Sequence, residues 1–127
     1  MLKEFDTLIM SPSLFAQLPI RVPADVENHV LLASETRPGD WVDWIEAAGL
    51  SHLASRPRRV FDHFFITRQA VEDGLGVGVG PFPLLEIDVA SGRILAPLPE
   101  IRDRRTGYVA LTADDAEKEG PLSDFVA

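Results

Sequence analysis

Cysteine is missing altogether from this 127-residue chain, which excludes disulfides and thiolate metal sites. No stretch approaches the roughly 20 consecutive apolar residues of a membrane span. The opening residues, MLKEFD, carry no apolar core of a secretion signal. A cytoplasmic location without a membrane partner is the resulting expectation. Basic residues are also scarce, 12 Lys and Arg against 20 Asp and Glu, for a formal charge of −8. Phosphate neutralisation needs a basic face, so the chain is not expected to read nucleic acid by itself. Its two basic clusters, Arg56, Arg58, Arg59 and Arg102, Arg104, Arg105, read as solvated or carboxylate-paired arginines.

What remains is ordinary globular material. Hydrophobic residues make up 46% and charged residues 25%, enough to build one domain with a core. Thr7–Met10 reads as a short strand that stops at Ser11-Pro12, where a helical turn through Leu14, Phe15 and Leu18 begins. Residues 24–29 read as a second helical turn and 30–33 as a strand. Pro38-Gly39 marks a turn, with Asp40 as the expected N-cap of the next helix. Trp41, Trp44, Ile45 and Ala48 follow at i, i+3, i+4 and i+7, which puts both indoles on one buried stripe ending at Gly49. Residues 59–61 form a strand and 65–73 a helix with Ile66 and Ala70 inward, closed by Gly74. Val77 and Val79 then alternate with Gly76, Gly78 and Gly80, a strand with one bare face that admits close approach. A Pro-containing turn, a helix ending at Gly92, a strand over 93–97 and a strand over 108–112 follow. A helix begins at Leu122. This order predicts an α/β domain with a mainly parallel sheet.

The glycine run does not make a dinucleotide cradle. Gly74-x-Gly76 needs a glycine where Val79 stands, and Gly76-x-Gly78 needs one where Pro81 stands. The element order is also inverted, since the glycines close a helix and form the strand itself. They read as a packing device, and no cofactor is expected. The three histidines, His29, His52 and His63, have no metal-ligand spacing, so no metal is expected either. Asp62-His63 could form a general-base dyad, but no nucleophile in a recognisable turn accompanies it, and no catalytic residue is assigned. In open parallel α/β sheets ligands bind beyond the carboxyl ends of strands. Here those positions are Ser11, Ser34, Asp62, His63, Phe64 and Pro81. Helix N-termini among them favour a small anionic group.

Four segments, SPSLFAQLPIRVPADVENHVLL, WVDWIEAAGL, FDHFFITRQAVEDGLGVGVGP and ASGRILAPLPEIRDRRTGYVALT, together resemble the effector-binding domain of LysR-type transcriptional regulators. The resemblance implies a lobe of a type II periplasmic-binding-protein-like fold with αβα layers. Residues 7–11 and 98–107 would be crossover segments, 12–97 the second lobe and 108–127 the return to a truncated first lobe. It implies a small-molecule effector held between lobes, with Ser11, Asp62, His63 and Phe64 facing it. Many relatives carry small hydroxyl residues near positions 63 and 64, so His63 and Phe64 depart from that pattern and the ligand preference does not transfer. Self-association is expected, and DNA contact only through a winged helix-turn-helix that this sequence does not contain. The alternatives from the residues are a lobe of a solute-binding protein and a small hydrolase using Asp62 and His63.

Overall fold

The computed structural model describes residues 4–104. Five strands and four α-helices run β1 Phe5–Ile9, α1 Pro12–Gln17, β2 Leu32–Ser34, α2 Asp40–Ala48, β3 Arg59–Phe61, α3 Phe64–Glu72, β4 Gly78–Phe82, α4 Glu86–Ala90 and β5 Arg102–Arg104. Two 3-10 turns, Pro23–Asn28 and Ser51–Leu53, fill connections. The expected elements at 108–112 and from Leu122 lie outside the described residues.

β3 and β2 pair in parallel, and β4, β1 and β5 form an antiparallel trio with β1 in the middle. A parallel bridge between Leu31 and Val77 joins the two groups, with Leu32 N donating to Val77 O and Val77 N to Val30 O. The resulting order is β3-β2-β4-β1-β5. β1 runs against its neighbours, so the sheet is small and partly antiparallel within an α/β architecture.

Alternation along the strands splits the core between two faces. Leu8, Met10, Leu31, Val77 and Val79 meet the α2 stripe of Trp41, Trp44 and Ile45. Ile9, Leu32, Phe82 and Ile94 meet Ala70 and Val71 of α3. The glycine face of β4 looks toward this second side. A Cβ at Gly78 would stand 3.1 Å from Val71 Cγ2, and one at Gly80 would meet Leu85 and stand 3.2 Å from Phe64 Cζ. The bare face is therefore filled by protein.

Several local expectations are corrected. Gly39, not Asp40, occupies the N-cap of α2, because the Asp40 carboxylate is held by Arg37 at 2.6 Å. Ile66 is exposed, because α3 turns Thr67, Ala70 and Val71 inward. The strand expected over 93–97 reduces to a bridge between Leu95 and Met10. The amides of Arg93 and Ile94 close α4 onto Asp88 O, and Pro97 has no N–H to give.

At the amino end of β2, His29 is only 3% exposed and its Nε2 has no hydrogen-bond partner. Burial pushes its pKa below the usual histidine value. The Leu18 carbonyl and Asp25 oppose that shift, and Arg56 adds to it. The unfolded chain thus binds a proton that the folded chain refuses. Stability from His29 is complete above about pH 6.5 and is lost as pH falls toward the depressed folded value. Denaturant midpoints measured from about pH 7.5 to about pH 5 should fall more steeply for the parent than for His29→Phe. Parallel curves for the two proteins would contradict this.

Candidate functional site

β2, β3 and β4 run the same way, so Ser34, Asp62, His63, Phe64 and Pro81 gather at one carboxyl edge. Ser34 is buried, and its Oγ lies 2.7 Å from Thr67 Oγ1. Thr67 also donates to Ala33 O or His63 O, at 3.2 and 3.3 Å. Ser34 therefore braces the start of α3 rather than facing outward. Asp62 and His63 are exposed and share no hydrogen bond among the described residues. The His63 ring stacks on Phe65 at 5.8 Å with a 6° interplanar angle.

His63 is the N-cap of α3 by position, but its side chain makes no capping bond. Its carbonyl accepts from Ile66 N and Thr67 N. The Phe64 and Phe65 N–H groups have no acceptor within the helix, which leaves the positive end of the helix dipole at the open edge. A carboxylate or phosphate oxygen is the natural acceptor for such groups.

Beside this start of α3 lies an open groove of ≈ 440 Å³ lined by Glu4, Arg37, Pro81, Phe82, Pro83 and Leu84. Arg37 binds Asp6 at 2.8 Å and Asp40 at 2.6 Å, and its guanidinium lies 5.4 Å from the Phe64 ring centroid. Phe82 stacks on Phe5 at 5.4 Å, and Arg102 covers the Phe5 ring at 3.8 Å. Of these groove residues Pro81 was readable as a site position from sequence, and Glu4, Arg37, Phe82, Pro83 and Leu84 were not. The only local signal for Arg37 was its place before Pro38-Gly39, which marks a turn and says nothing of its partners.

Ser11 does not join the group. β1 is antiparallel to β4 with Phe5 opposite Phe82 and Ile9 opposite Gly78, so Ser11 leaves the sheet at the other end. It is buried, and its Oγ accepts from Leu14 N at 3.1 Å to cap α1. Among the described residues no group of three or more His, Asp or Glu side chains is placed to hold a metal ion.

The family model "LysR substrate binding domain" matches residues 3–127. The chain belongs to the LysR substrate-binding domain family. Its αβα lobe is that of the type II periplasmic-binding-protein-like fold. Among curated relatives, the HTH-type transcriptional regulator TrpI of Pseudomonas aeruginosa is 39% identical over 67 residues, covering 53% of this chain and 23% of that protein. The HTH-type transcriptional activator AmpR of the same organism is 36% identical over 92 residues, covering 72% of this chain and 30% of that protein. The solved effector domain of Pseudomonas aeruginosa AmpR superposes with a TM-score of 0.65 at 30% identity, covering 81% of this chain and 47% of that one. The regulatory domain of CrgA from Neisseria meningitidis shares the fold, with a TM-score of 0.64 at 19% identity over 81% of this chain and 53% of that one. This LysR-family chain thus spans less than a third of the curated regulators and about half of the solved domains.

Proposed function

We propose that the chain is an effector-sensing lobe of a LysR-type transcriptional regulator. In this reading its carboxyl edge takes the anionic group of a small metabolite. The observation that carries it is the open, uncapped start of α3 at His63, set among the ends of three strands running in one direction. Residues 7–11 and 98–107 act as crossovers to a first lobe and 12–97 as the second lobe, with the effector held between the two. β1 and β5 lie side by side, which suits paired crossovers. Asp62, His63, Phe64 and Pro81 contact the effector in this account, and Ser34 positions α3 through Thr67.

Sensing works by population shift: an effector that binds the closed arrangement more tightly than the open one moves the equilibrium toward it. DNA contact belongs to helix-turn-helix elements outside this sequence, as in the relatives named as HTH-type regulators. The reading places the protein in the cytoplasm and gives it no catalytic role. Phe65, Leu84 and Ile87 are each about two-thirds exposed or more, and exposed apolar side chains favour association of copies, so sedimentation should show association and a clean monomer would count against it.

Calorimetry with a panel of small carboxylic acids and their primary amides tests the reading. Some acids should bind in the millimolar range, and their amides should not bind. Turnover of any of them that His63→Ala abolishes would overturn it in favour of a hydrolase. Equal binding of acids and amides would remove the anionic group.

A further inference from the structure

We infer that Arg37 is a positioning residue that couples the effector edge to strand β1. This rests on the effector reading of that edge. One guanidinium meets three segments from a fourth. Arg37 sits in the turn after β2, closed by its own N–H on Ser34 O at 3.0 Å and by Asp40 N on Arg37 O at 3.3 Å. Its Nε donates to Asp40 at the start of α2, and its Nη2 donates to Asp6 of β1. Its guanidinium lies near the ring of Phe64, the first residue of α3.

The placement is partly buried, with the Arg37, Asp6 and Asp40 side chains 18%, 6% and 15% exposed, so these pairs are less screened than surface ones. Arg37 also lines the groove beside Pro81 and Phe82. A ligand that shifts Phe64, or that engages the guanidinium from the groove, draws Arg37 away from its ion pair with Asp6. The position of β1, the proposed crossover, is thereby tied to the state of the site. Lysine could not replace it, because a single ammonium has no planar fork to serve two carboxylates while presenting a face to a ring.

The test uses no ligand, so its outcome is separable from failure of the effector reading. Phe64→Leu stands in for a disturbance at the site, and amide hydrogen exchange at Thr7 and Leu8 reports on β1. With Arg37 present, the substitution should speed exchange there by about fivefold or more, and in an Arg37→Lys background by less than about twofold. A general loosening from a merely structural Arg37 would leave the effect of Phe64→Leu the same in both backgrounds, which overturns the inference. If Arg37→Lys does not fold, Asp6→Asn supplies the background, with the same expected loss and the same contradicting result.

Discussion

Gly76→Ala is expected to cost about 3 kcal/mol or more, enough to unfold a marginal domain. A Cβ there would stand 2.5 Å from the carbonyl oxygen of Val30 and 3.0 Å from Leu32 Cγ. Val30 O accepts from Val77 N, and Leu32 N donates to Val77 O at 2.8 Å, so the clash falls on the one bridge that joins β2 to β4. The obstacle is backbone and cannot rotate away, unlike the Leu85 side chain that crowds Gly80. Gly39→Ala is the control, since its Cβ would meet only Asp43 Oδ2 at 3.4 Å. Denaturant titration by circular dichroism checks the pair, and a loss below about 1 kcal/mol at Gly76 would contradict the close approach.

Trp44→Ala should cost about 3–5 kcal/mol, the range for removing a fully buried aromatic side chain. Trp44 has no exposed surface, meets Trp41 edge to face at 5.9 Å, and donates from Nε1 to Ile101 O at 3.1 Å. The same side chain thus fills the core under α2 and fastens the segment leading into β5. Trp44→Phe retains part of the packing but loses the hydrogen bond, so it should lose about 1–3 kcal/mol. A Trp44→Ala protein as stable as the parent would mean that α2 does not pack as described.

The parts legible in the sequence are those whose cause is local. The Trp41–Trp44 stripe, the left-handed closures at Gly49, Gly74 and Gly92, and the strand at 59–61 each follow from spacing or from one residue's backbone freedom. Ser11 was readable as the start of a helix, and its capping of α1 agrees. Its distance from the other site residues was not readable, because the direction of β1 is set by pairing with β4 and not by residues 5–9 themselves. The same holds for Arg93–Pro97, which alternates like a strand but whose first amides are consumed in ending α4. Arg37 is the clearest omission. Its partners Asp6 and Phe64 lie 31 and 27 positions away, so only the folded chain brings them together.

In the proposed function the carboxyl edge receives the effector's anionic group. Following backbone amide shifts in ¹⁵N-labelled protein during titration with the carboxylic acids that bind in calorimetry tests it most directly. The account predicts that the largest changes fall on Ser34–Arg37, Asp62–Phe65 and Phe82–Leu84, with Ser11 and the α1 cap unmoved. Changes centred on Ser11 and α1, or spread over the arginines at 56–59 with His63 and Phe64 silent, would contradict it.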